Sequence, residues 1–161
     1  MGKLRPMTAL YLVDGERVLL LYRIGSKIAD QSYIGCAGGH FEADELRDAR
    51  KCVLRELREE IGLREEDLCD LALRYVTMRL KNGEIRQNYY FFAKPAHPLG
   101  SLQSSEGRLS WVSLSKIDDL PMPASAKQVL LHYRQIGRYD SVLRGGMTEE
   151  DGCNFHPLNE F

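Results

Sequence analysis

The chain has 161 residues, 43% apolar and 28% charged, and its 22 Lys and Arg nearly balance 23 Asp and Glu for a net charge of −1. These values suit a single domain over 1–161 and exclude a disordered chain, a bilayer-spanning helix and a polycation built to bind a nucleic-acid polymer. Four cysteines without CxxC spacing read as reduced thiols, and the start has no signal-peptide core, so a cytoplasmic protein without a membrane partner is expected.

In chain order, residues 7–13 and 17–22 are Leu-rich or β-branched runs separated by Asp14-Gly15-Glu16. Asp-Gly between such runs predicts a hairpin with both residues in the turn. Residues 23–32 read as a polar loop around Gly25. A short strand over 33–37 is expected to break at Gly38-Gly39. From 46 to 61 the period becomes helical, with Leu46, Ala49, Val53, Leu57 and Ile61 three or four residues apart. Asp44 or Asp48 could cap that helix, and Gly62 is placed to end it in a left-handed conformation. Residues 71–80 and 85–94 flank Asn82-Gly83, the strongest hairpin signal in the chain. A Pro/Gly/Ser-rich loop precedes a strand over 108–112, and Ser113 or Ser115 could cap a short turn over 116–120. A second helix follows, with Pro123 in its first turn, one apolar face of Ala126, Val129, Leu130 and Tyr133, and an end near Gly137. The tail from 139 to 161 shows no strong periodicity. Strands, helix, strands, helix predicts an α/β (α+β) fold, a mixed β-sheet flanked by helices.

The near-zero net charge conceals an uneven distribution. Residues 40–70 hold 11 acids and 6 bases, leaving +4 for the other 130 residues. Within the first helix, Glu56 and Glu60 share one face and Glu59 borders it. Like charges at that spacing destabilise a helix by a few tenths of a kcal/mol, and near its C-terminus they also oppose the dipole. A bound divalent cation would reverse both penalties. The plain alternative is a solvated acidic face balanced by Arg55 and Arg58. Gly38-Gly39 just upstream tips the balance toward a metal site, since it permits close backbone approach and an exposed carbonyl.

Gly38-Gly39-His40-Phe41-Glu42, then Glu45, then Arg55 to Leu63 resemble the Nudix box. Arg55, Glu56, Leu57, Glu59, Glu60, Gly62 and Leu63 match its second half, R-E-U-x-E-E-x-G-U with U aliphatic. In the first half, Gly39 and Glu45 enclose the expected five residues, but Glu45 and Arg55 enclose nine where the pattern has seven. Ala37 also stands where a proline is common, and Glu45 and Glu42 are both candidates to pair with Arg55.

The resemblance implies a Nudix-like α/β/α sandwich. It also implies Mg²⁺- or Mn²⁺-dependent hydrolysis of a small nucleoside-diphosphate-linked substrate, by water attack on phosphorus. Metal ligation would fall on Glu56, Glu59, Glu60 and the Gly39 carbonyl. Catalytic roles would fall on Glu59, Glu106 and Arg55, with either Glu as general base, and Arg23 would contact phosphate. Pro121-Met122-Pro123-Ala124-Ser125 resembles MutT-like (d)NTP pyrophosphohydrolases, which brings Ser125 to the substrate. Hydrolysis of ADP-ribose or another nucleotide sugar is the alternative, although Met78 stands where the ADP-ribose type has proline. A non-catalytic nucleotide-sensing module is a further alternative. Tyr89 to Phe92 read as a base-stacking ring or as core, and a monomer or a homodimer is expected.

Overall fold

The computed structural model describes residues 2–24 and 31–158. Its strands are β1 (Lys3–Asp14), β2 (Arg17–Arg23), β3 (Ser32–Gly35), β4 (Ala37–His40), β5 (Leu68–Lys81), β6 (Glu84–Pro95), β7 (Gly107–Ser113), β8 (Arg144–Glu149), β9 (Gly152–Cys153) and β10 (His156–Pro157). Helix α1 (Ala49–Ile61) lies between β4 and β5, and α2 (Ala124–Gln135) between β7 and β8. The sheet runs β10-β8-β5-β6-β1-β2-β3, with β4 paired to β1 and β7 to β2. The β1–β6 and β5–β8 pairs are parallel, the others antiparallel, so the sheet is mixed as expected. Residue 25 and the rest of 25–30, within the expected loop, lie outside the described residues.

Neighbouring residues of β1 and β6 face opposite ways. Tyr11, Val13, Tyr90 and Phe92 pack with Ala126, Val129, Leu130 and Tyr133 of α2. Leu10, Leu12, Phe91 and Ala93 pack with Val53, Leu57 and Ile61 of α1 on the other side. The result is a helix–sheet–helix sandwich. Tyr90, Phe91 and Phe92 are thus core.

Several local expectations change. Asp14 pairs with Arg17, so the first turn is Gly15-Glu16, and of the two only Gly15 has positive φ, at 59°. That is the pattern of a turn with glycine at its first central position. Asn82 and Gly83, at 52° and 75°, both adopt positive φ as their dipeptide predicts. Gly38-Gly39 does not break a strand. It lies inside β4, paired with Ala9 and Thr8. A Cβ on Gly38 would stand 2.2 Å from the Thr8 carbonyl oxygen, so glycine is what lets the two backbones meet.

Helix α1 starts later than its apolar period suggests. Asp48 caps it by accepting from the Lys51 N–H at 3.0 Å, and Leu46 stays outside, 64% exposed. Gly62 ends the helix at φ 73°. Pro123 precedes α2 in extended conformation at the cap position, because its ψ of 144° is not helical. The helix ends at Gln135, ahead of a 3-10 turn at Gly137–Tyr139. The tail is ordered by parallel pairing of β8 with β5 and by Asp140, which accepts from Arg144 and Arg74. No helix among the described residues is long and apolar enough to cross a membrane.

Candidate active site

Arg55 is the hub of the acidic cluster. Its Nε and Nη2 donate to the two oxygens of Glu45 at 2.6 and 3.1 Å. Its Nη1 donates to Glu56 at 2.9 Å and Glu59 at 3.0 Å, and Nη2 also reaches the His40 carbonyl at 3.1 Å. Glu42 approaches Arg55 only to 3.8 Å, so Glu45 is the partner. The nine-residue spacing still delivers it, because a turn at Leu46-Arg47 and the Asp48 cap precede the helix. Glu45 is 1% exposed and also accepts from the Glu42 N–H at 2.9 Å. The bonds from Arg55 hold its carboxyl down at about 2.

Glu60 is in the opposite condition. It accepts from the Gly38 N–H at 3.3 Å, and among the described residues it has no cationic partner. Burial first, then the nearby charge of Glu56, push its carboxyl up to about 8, and Glu106 adds to the effect. Gly39 makes room for this crowding, since a Cβ there would stand 2.4 Å from a Glu56 oxygen. Glu106 lies in the loop before β7, where its N–H is held by the Ser104 hydroxyl at 3.1 Å. Arg23, at the end of β2, donates to Glu106 at 3.2 Å, and among the described residues its buried Nε has no partner.

Glu60, Glu106, Arg23, Gly38 and the buried Ser125 of α2 all line one cavity of about 750 Å³. Glu59 is 58% exposed and, like Arg55 and Glu45, is not part of the cavity wall.

Two groups of carboxylates could hold a cation. Glu42, Asp44 and Glu45 bring ligand oxygens within 4.8 Å of one another. Their charge is already answered, however, by Arg55 at Glu45 and by Lys51 at Asp44. Glu56 meets Arg55, but Glu60 has no cationic partner among the described residues, so these hard oxygen donors fit a divalent cation better. Reading the sequence missed the Gly38 N–H and also Arg79, Lys81, Arg86 and Asn88, which line the same cavity. Arg79 and Lys81 alternate along a strand, and that period of two was the available signal.

The NUDIX domain family model matches residues 3–133. The chain belongs to the NUDIX domain family. Its class is therefore that of a Nudix-type pyrophosphohydrolase. Similar solved structures include a mutator MutT protein from Bacillus halodurans, 24% identical with TM-score 0.66, covering 98% of this chain and 99% of that one. A C. elegans Ap4A hydrolase in a binary complex is 18% identical, with TM-score 0.65 and coverage of 86% and 99%. The NUDIX domain of Shewanella oneidensis NrtR, solved with ADP ribose, is 14% identical, with TM-score 0.64 and coverage of 87% and 90%. Each likeness is one of fold. No curated protein matches the chain at a significant level.

Proposed function

We propose that this chain hydrolyses the diphosphate linkage of a small nucleotide, a (d)NTP in the first instance, at the Glu60 end of the cavity. The observation that carries this reading is Glu60, buried beside Glu56 and Glu106 at the Gly38-Gly39 strand with no cationic partner among the described residues. A cavity of about 750 Å³ has the size of a small-molecule site, and Ser125 lies in its wall. Glu56, Glu59, Glu60 and the Gly39 carbonyl would hold Mg²⁺ or Mn²⁺. When bound, such a cation neutralises the diphosphate and acidifies a water molecule.

The protein's own groups do the rest. Arg55 fixes Glu56 and Glu59 in place while keeping Glu45 ionised. Arg23 lines the cavity, where its guanidinium can meet a phosphate oxygen. Glu106 faces the cavity and Glu59 does not, so Glu106 is the better-placed acceptor of the water's proton. Water adds to phosphorus, the bridging P–O bond breaks, and the departing phosphate carries away the electron pair.

A panel of (d)NTPs, ADP-ribose, sugar nucleotides and dinucleoside polyphosphates with Mg²⁺, read by released phosphate or pyrophosphate, tests the reading. Glu60→Gln should lower turnover at least about a hundredfold with an unchanged circular dichroism spectrum. Near-normal turnover in that variant would overturn the assignment.

A further inference from the structure

Positive charge is gathered on two rungs of the sheet, across the cavity from Glu60. Arg5 pairs with Arg86 between β1 and β6, and Arg86 with Arg79 between β6 and β5, so three guanidinium groups share one face in one row. On the next rung of that face, Lys3 and Lys81 flank Glu84 in the same way. Like charges directly opposite one another weaken a sheet ladder, so folding alone does not favour this row. Glu84 is the single acid of the two rungs. It lies 3.3 Å from Arg5 and 3.9 Å from Arg86. Among the described residues, the side chains of Arg79 and Lys81 have no hydrogen bond or ion pair. Arg79, Lys81 and Arg86 line the cavity.

Their position matters as much as their charge. Gly38, the donor to Glu60, pairs with Ala9, four residues along β1 from Arg5 and on the side of β1 away from β6. At about 3.3 Å per residue and 4.8 Å per strand, the backbones of Gly38 and Arg79 are roughly 20 Å apart. Asn88 and Tyr90 of β6 line the cavity between them. The side chains of Glu60 and Arg79 reach into the cavity from its two ends, so one anionic group near Glu60 and another near Arg79 would be held on opposite sides of one bound sugar.

We infer that Arg79, Lys81 and Arg86 form a second anion site, and that the preferred substrate carries a further phosphate on its sugar, remote from the cleaved diphosphate. Arginine forks match a phosphate's oxygens in pairs, which a sugar hydroxyl alone cannot use. For the cleaved end, this site rests on the pyrophosphohydrolase reading above.

The test compares matched substrates with Mg²⁺: ADP-ribose with its 2′-phosphate, and GTP with guanosine 5′-triphosphate 3′-diphosphate. In the wild type, kcat/KM should favour the more phosphorylated member of at least one pair about tenfold, mostly through KM. In Arg79→Ala/Lys81→Ala the ratio should fall to about one, while stability at low salt is no lower because repulsion has been relieved. Hydrolysis of both members of each pair at equal efficiency by the wild type would overturn the proposal, as would a ratio that survives the substitutions. Should that variant not fold, Arg79→Gln replaces it. If no nucleotide is cleaved, the hydrolase reading fails by itself, and calorimetry with adenosine 2′,5′-bisphosphate, adenosine 3′,5′-bisphosphate and AMP decides the anion site. Tighter binding of either bisphosphate by the wild type, lost in the variant, supports it. Equal binding of all three overturns it.

Discussion

At Gly39 there is no space for a methyl group. A Cβ would stand 2.4 Å from one Glu56 oxygen and 2.6 Å from its carboxyl carbon, so Gly39→Ala must push that carboxylate aside. A displacement of about 1 Å in a catalytic constellation can lower turnover about a hundredfold. The expected result is a loss of that order in kcat, with thermal stability little changed because the displaced carboxylate is at the end of a flexible side chain. Activity within a few-fold of wild type would show that Glu56 need not stay where it is. This residue was legible in the sequence as half of a glycine pair, but which side chain it makes room for was not. The pair was read both as a strand breaker and as a place of close backbone approach, and the second reading describes it: Gly38 meets Thr8 and Gly39 meets Glu56.

Helix α1 shows why spacing alone could not choose between Glu42 and Glu45. Nine residues separate Glu45 from Arg55, and only the fold of the intervening turn and cap shows where they bring Glu45. The helix itself was readable from its period and from Gly62, while its start depended on Asp48, one of two capping candidates. Arg55 supplies the test for this element. A lysine has one ammonium where arginine has a planar fork, so Arg55→Lys cannot serve Glu45, Glu56, Glu59 and the His40 carbonyl together. Glu45, 1% exposed, would be left short of partners, at a cost of about 2 kcal/mol or more. Denaturant unfolding should show that loss, and kcat should fall more than KM rises. A variant as stable as the wild type would mean that Glu45 does not depend on the fork.

Across the molecule, the C-terminal strands depend on charge. Asp140 accepts from Arg144 at 2.7 and 3.0 Å and from Arg74 of β5 at 3.2 Å. The hydrogen bond from Arg144 is the main cause that lowers its carboxyl from 3.8 to about 2. A depressed carboxyl pKa contributes stability that is present above the unfolded value and lost as pH falls toward the folded one. Wild type should therefore exceed Asp140→Asn in urea midpoint at about pH 6, and the gap should close between about pH 4 and 2. A gap that does not change with pH would rule out ionisation of Asp140 as its source.

The sequence by itself determined the class of fold, both helices, the Asn82-Gly83 turn and the acidic face of α1, because period, turn chemistry and helical spacing act over a few residues. The tertiary structure alone decided that Glu45 meets Arg55 and that the tail adds strands beside β5. It also decided that Arg5, Arg86 and Arg79 form one row, of which Arg86 and Arg79 line the same cavity as Glu60. Those facts depend on strand register and on contacts between residues distant in sequence, and local patterns of charge and hydropathy carry neither.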